Sequence, residues 1–437
     1  MNDERPGLLV HGASAVATLA GGMRRGAGQD DVALLSADGV AIGSYEGRIV
    51  AVGQLNDVEA RLSQHGIATS ALTRLDARGG LVTPGLIDPH THLLFGGTRH
   101  AEVGLRQRGL GYLEILVAGG GILQTVRMTR AASDDELLDH GRRWLREMMT
   151  HGVTTVEAKS GYGLELDAEL RLLSLLGKLG DEGPVEILPT FLGAHAVPPE
   201  YRDGPAPAAD YLREVIEVQL PEVARQGIAR FVDVFCEPGV FTVEQARSLL
   251  RAARDRGMDL RLHADQINAG GGAELAVEVG ARSADHLGAI TDAGIAALAV
   301  AADAGRPVVA TLLPIASFYL GEEHDAPARQ LIDARVPVAL GTDFNPGTSP
   351  APNVQLALAF AVHRLKMSAS EALAALTINA AAALGIADTH GSLEEGKHAD
   401  LVVWKINSHE LLPYWLGANL ASAVVKRGRV VYVAPAD

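Results

Sequence analysis

The stretch "PGLIDPHTHLLFGG" sets His90 and His92 two residues apart at the end of an apolar run. Side chains at i and i+2 of a strand face the same way, so both imidazoles can reach one ion. A hydrolytic metal site wants three or four protein groups and one open position for water. The further candidates are His195, His263, His286 and Asp343. His263 closes the apolar run "DLRLH". Asp343 closes "VALGTD" and carries a carboxylate that can bind metal and also take a proton from water. His286, in "SADH", suits orientation of that water or relay of its proton. His195 follows the glycine-containing stretch "FLGAH", which predicts a loop over a pocket and a substrate-facing ring. Either of these last two histidines could serve as a ligand instead.

Such groups work together only if the chain converges them. Between about residues 81 and 390, short apolar runs alternate with amphipathic segments, as in βα repeats. Eight runs read as strands: Leu86 to His92, Thr154 to Ala158, Glu186 to Phe191, Phe231 to Phe235, Asp259 to His263, Ser283 to His286, Val308 to Leu312 and Val336 to Gly341. Ser133 with Glu136, Thr242 with Gln245 and Ser368 with Glu371 have the spacing of capping boxes that open helices. An open, doubly wound sheet could give the same string, but no G-x-G-x-x-G follows a first strand. His92, Lys159, His195, Glu237, His263, His286, Pro314 and Asp343 fall at or just past successive strand ends. A closed (β/α)8 barrel gathers those ends at one mouth, and that fold is expected here. Glycine-rich "AGGGI" near 118 to 122 and "NAGGGAE" near 268 to 274 are candidate mobile or tightly bent loops, the second also a candidate helix entry.

Residues 1–80 and 391–437 read as β-rich pieces, with turns at DG and EG. Each is marginal alone, so one small β-sandwich domain assembled from both termini is expected beside a barrel at 81–390. The 437 residues carry 53 acidic and 38 basic side chains, a formal charge of −15. A field of that sign repels phosphate backbones, and nucleic-acid binding is not expected. One cysteine, Cys236, excludes an intrachain disulfide. No apolar stretch of about 18 residues suggests a membrane span, and a cytoplasmic enzyme is the simplest expectation.

The segments "PGLIDPHTH", "FGGTRHAEVGLRQRG", "VEAKSGYGLELDAELRLL", "PTFLGAHAVP", "LRLHADQ", "SADHLG" and "GTDFNPGTSP" resemble the amidohydrolase superfamily and, within it, the imidazolonepropionase family. The resemblance implies one Zn²⁺, or iron in some members, held at the positions of His90, His92, His263 and Asp343. It implies that His286 assists the attacking water, that Arg99, Tyr162 and His195 hold substrate, and that Lys159 stays unmodified. It also implies a homodimer. The implied reaction is hydrolytic opening of the cyclic amide of 4-imidazolone-5-propanoate to N-formimino-L-glutamate, in histidine degradation. A guanidinium can fork onto a carboxylate, which suits Arg99, with Arg106 and Arg108 as rivals. Asn345 is placed on the substrate side too. Gln266 stands in "HADQ", where many ring deaminases of the superfamily carry glutamate. An amide cannot carry a proton, so Gln266 is expected beside the reacting groups as a hydrogen-bonding pocket wall. The alternatives are another cyclic amidase or heterocycle deaminase acting on a carboxylate-bearing ring, or a scaffold that has lost catalysis. A scaffold is expected to lack a ligand, and none is missing.

Overall fold

The computed structural model describes residues 7–110, 114–115, 120–203, 205–322 and 325–435. Within the stretch "AGGGI", residues 118 and 119 lie outside these.

The chain opens with β1 (Gly7–Ala17), β2 (Leu34–Tyr45), β3 (Arg48–Gln54), β4 (Thr73–Asp76) and β5 (Leu81–Pro84). β1 changes partner along its length. Residues 8–11 pair with β4 and residues 15–16 with β5, while β2 runs antiparallel on its other side. A helix at Leu55–Gln64, not anticipated from sequence, lays Val58 and Leu62 on this sheet. It fits because Gly43 has no side chain, since a Cβ there would meet both residues at 2.9 Å.

The barrel follows with β6 (Leu86–Asp88), β7 (Val153–Lys159), β8 (Glu186–Ala194), β9 (Phe231–Cys236), β10 (Asp259–Ala264), β11 (Ser283–His286), β12 (Val309–Leu312) and β13 (Val338–Leu340). All pair in parallel and in sequence order from β6 to β13. The three expected capping boxes open helices at Asp134–Thr150, Val243–Arg254 and Ala369–Ala375. Two strand ends differ from the sequence reading by three residues or more. β6 stops at Asp88 because Pro89 has no N–H for the ladder. β8 runs through Gly193 to Ala194, so the expected bend before His195 is strand.

The barrel closes where the candidate residues lie. Thr91 and Phe344 form a parallel bridge. The Asp343 amide donates to the His90 carbonyl at 3.0 Å and the His92 amide to the Phe344 carbonyl at 2.9 Å. Asp88 clamps the same seam, accepting from the Thr342 amide at 3.1 Å and its hydroxyl at 2.5 Å.

The chain ends with β14 (Leu401–Trp404), β15 (Ala421–Lys426) and β16 (Arg429–Val433). β14 runs antiparallel to β5, so both termini form one sheet of eight strands. Its own core includes Val10, Val16, Ile42, Val82, Val403 and Val425, separate from the barrel core. Trp404 ties the two halves, its indole N–H donating to the Thr83 hydroxyl at 2.9 Å.

Candidate active site

Inward positions near the barrel mouth are charged rather than apolar. Glu157, Lys159, Asp233, Arg261 and Asp285 are all fully buried. Lone buried charges cost several kcal/mol each, so each must find partners. Lys159 Nζ lies 2.8 Å from Glu157 Oε1 and 2.9 Å from Asp233 Oδ2. Burial pulls its ammonium down, but Asp233 and Glu157 outweigh that and hold it above its ordinary value. A carbamate would put a third anion between two carboxylates, so the surroundings favour the free ammonium. Arg261 Nη2 donates to Asp285 Oδ2 at 2.9 Å and to the Pro89 carbonyl at 2.6 Å.

These carboxylates in turn aim histidines. Asp285 Oδ2 is 2.7 Å from His90 Nδ1, and Asp233 Oδ1 is 3.0 Å from His263 Nδ1. Each contact puts the proton on Nδ1 and leaves the Nε2 lone pair free. Both Nε2 atoms are buried without a hydrogen-bond partner. Asp343 Oδ1 approaches His90 Nε2 at 3.5 Å and His92 Nε2 at 3.4 Å. Two triplets sharing His90 emerge: His90, His92 and Asp343, and His90, His263 and His286, with ligand atoms in each within 4.8 Å of one another. Burial depresses His90 and His92 well below the ordinary imidazole value and His286 to about 3, while it raises Asp343. Neutral imidazoles converging on one carboxylate are the donor set of a divalent transition metal. The residues present therefore fit a metal.

Another histidine cluster, Glu186, His390 and His398, lies at the opposite barrel end. There Lys426 Nζ and Arg427 Nη2 each sit 3.1 Å from Glu186 Oε2, so cations already serve that carboxylate.

Above the histidines opens a cavity of about 370 Å³, lined by His92, Tyr162, His195, His263, Gln266, His286, Asp343 and Asn345 among others. Arg99 and Arg106 line it too. Arg99 is buried, its Nε and Nη2 each donating to Glu102 at 2.9 Å. That edge of the fork is taken, and the Nη1 edge remains for a ligand. Gly347 makes room for it, since a Cβ there would lie 1.9 Å from Arg99 Nη1. Arg106 lies 4.9 Å over the Tyr319 ring, whereas Arg108 is exposed. Tyr162 is buried, and its loop is latched rather than loose. Glu169 accepts from the amides of Gly161, Gly163 and Leu164 at 2.8–3.1 Å. The His195 ring stacks 4.9 Å from His92, and its Nδ1 is 2.9 Å from the Gly161 carbonyl.

Asn345 borders the cavity, but its amide is occupied by the turn it builds. Nδ2 donates to the Asp343 carbonyl and Thr348 Oγ1 at 2.7 Å, and Oδ1 accepts from the amides of Gly347 and Thr348 at 2.8 Å. The stretch after β10 is a helix entry. Asp265 accepts from the amides of Gly270, Gly271, Gly272 and Ala273 at 2.8–3.1 Å, opening the helix Gly272–Val279. Glu237 accepts from the amides of Ile267 and Asn268 at 3.2 and 2.9 Å and so fixes the loop bearing Gln266.

Sequence reasoning overlooked Asp233, Asp285, Arg261 and Glu157. The signal was present: each is a charged residue inside an apolar strand, where burial demands a partner.

A (β/α)8 barrel with histidines and an aspartate converging at its mouth defines a metal-dependent hydrolase class, and the chain belongs to it: residues 81–433 match the amidohydrolase family. Solved structures share the fold. Guanine deaminase of E. coli superposes with a TM-score of 0.71 at 17% identity, covering 98% of this chain and 99% of that one. A zinc-bound adenosine deaminase from Xanthomonas campestris gives 0.68 at 20%, covering 98% and 93%. Within the family, the chain groups with the imidazolonepropionases. It is 45% identical to that of Bacillus velezensis over 94% of this chain and 93% of the relative. It is 49% identical to that of Geobacillus kaustophilus over 88% of both, and 48% to that of Anaeromyxobacter sp. strain K over 94% of both. Among the described residues, no helix is long and apolar enough to cross a membrane.

Proposed function

We propose that the protein is an imidazolonepropionase: a metal-dependent hydrolase that opens the cyclic amide of 4-imidazolone-5-propanoate with water to give N-formimino-L-glutamate. The observation that carries this reading is one cavity joining His263, whose Nε2 has no hydrogen-bond partner, to a guanidinium braced by Glu102. The first can hold a metal beside a scissile amide, and the second can hold a propionate tail.

His90, His92, His263 and Asp343 would hold one metal ion per chain, Zn²⁺ or iron. When bound, such an ion polarises a carbonyl and makes water a stronger acid. Asp343 turns Oδ1 to His90 and His92, which leaves Oδ2 to accept a proton from the attacking water. Its burial favours holding that proton until the ring nitrogen departs and needs it. His286, kept neutral by burial, orients the water by hydrogen bonding. Arg99 binds the substrate carboxylate through its Nη1 edge, and Tyr162 and His195 wall the ring. Gln266 offers an amide to the ring polar atoms and carries no proton. The protein is further proposed to act as a homodimer in the cytoplasm.

The test is turnover of 4-imidazolone-5-propanoate, followed by loss of ring absorbance and appearance of N-formimino-L-glutamate, with metal counted by elemental analysis. Turnover with one metal per chain is expected. A metal-replete protein that deaminates a heterocycle and leaves the imidazolone intact would overturn the reading.

A further inference from the structure

The reaction proposed above separates charge. Water adds its hydroxyl to the ring carbonyl carbon, the carbon–nitrogen bond breaks, and the departing nitrogen takes a proton. The new carboxylic acid ionises and the formimino group, an amidine, takes up a proton. A ligand that enters with one negative charge leaves with two carboxylates and one amidinium cation. A pocket built for this chemistry therefore needs an anion facing the amidine end.

Among the described residues, four charged side chains line the cavity: Arg99, Arg106, Glu322 and Asp343. Arg99 serves the tail, Asp343 belongs with the histidines, and Arg106 lies over Tyr319. Glu322 is the one that the reaction as described leaves without a task. It is half-buried after the helix Pro314–Leu320. A Cβ placed on Gly288 would lie 2.9 Å from the Gln266 carbonyl and 3.9 Å from Glu322 Oε2. The carboxylate is thus beside the Gln266 loop, where the ring nitrogens are expected. Among the described residues, one cation acts on it appreciably. Arg364, the cation it senses, is bonded to Asp325 at 3.0 Å. Burial raises its carboxyl above the ordinary value, a Ser317 hydrogen bond offsets part of that, and Asp325 and Asp343 add to the rise. An anion held among anions at a cavity wall is a receptor for a cation.

We propose that Glu322 is a specificity residue that receives the amidine end of the ligand, pairing with the formamidinium of the ring-opened product. This rests on the imidazolonepropionase reading. The pairing would be a charge-assisted hydrogen bond across a partly desolvated wall, of the bidentate kind when both amidinium nitrogens engage.

The test uses two product-like ligands as inhibitors of the metal-loaded enzyme: N-formimino-L-glutamate, and N-formyl-L-glutamate, which has the same shape but a neutral amide. Wild type should bind the first more tightly, by about 10- to 100-fold. Glu322→Gln should lose that preference while binding the formyl compound as before, and Glu322→Asp should keep part of it. Metal content and melting temperature of each variant exclude a folding defect as the cause. A wild type that prefers the amidinium and a Glu322→Gln variant with the same ratio would overturn the role of Glu322 alone. A wild type indifferent to both ligands and inert toward the imidazolone would overturn the reaction, and this assignment with it.

Discussion

Asp233→Asn isolates the charge beneath His263 without changing its shape. In the wild type one carboxylate serves the His263 ring at 3.0 Å, the His263 amide at 3.2 Å and the Lys159 ammonium at 2.9 Å. An asparagine can still accept from the His263 ring, so the alignment survives while the charge is lost. Loss of such a partner behind a metal-binding histidine typically weakens metal affinity about 10- to 100-fold, or about 1.4–2.7 kcal/mol. Lys159 keeps only Glu157, and stranding half of a buried ion network costs about 3–5 kcal/mol of folding stability. These two losses are separable. Melting of the metal-free variant reads the second. The first is read by chelator competition, and again by how much added metal raises the melting temperature, since a ligand stabilises in proportion to its affinity. The expected result is a lower melting temperature without metal and a smaller rise on adding it. A variant that melts lower but binds metal with unchanged affinity would refute the reasoning and make Asp233 a partner of Lys159 alone.

Gly347→Ala should push the Arg99 guanidinium off its seat and raise KM with metal content unchanged, as should Arg99→Ala; a charged contact of this kind is worth about 2–5 kcal/mol, and an unchanged KM would move the tail to Arg106. His286→Ala should keep its metal and lose about 100- to 10,000-fold in kcat, whereas Gln266→Ala should lose mostly in KM; near-wild-type turnover by His286→Ala would reverse those roles. Deleting residues 398–437 removes β14, β15 and β16 from the sheet begun by the N-terminus, so the truncated chain should be insoluble or melt far below wild type. Cooperative melting at the wild-type temperature would show that the two ends fold independently.

The barrel was legible because its strands are short, mostly apolar runs buried on both faces, which alternate with helices and have polar residues at or just past their ends. "SADH" reads as Ser283–His286 in sequence and in structure alike. The residues proposed to hold the metal stood out for the same reason, since histidine at the end of an apolar run is conspicuous. What stayed hidden depends on contacts distant in sequence. Glu169 latches the loop of Tyr162 from the next helix, and nothing near Glu169 in the chain advertises it. Arg99 was read from sequence as a fork onto a substrate carboxylate, and its partner Glu102, three residues on in the first turn of the helix that follows, was not weighed. The helix at Leu55–Gln64 was missed because only Val58 and Leu62 mark its buried face.

The seam that closes the barrel joins residues 254 positions apart, Asp88 and Thr342, and the histidines and Asp343 flank it. During synthesis the first two histidines therefore leave the ribosome long before their carboxylate partner exists. No nascent chain that ends before Asp343 can assemble the full proposed donor set, and an ion captured early has only His90 and His92 to hold it. Tight metal uptake by the proposed donors would thus report that the last strand has docked on the first. An ion bridging that seam would act as a rivet, slowing the opening of the barrel as well as activating water. Stripping the metal should accordingly speed unfolding first at β6 and β13, and hydrogen exchange at the amides of His92 and Asp343 is where that would register.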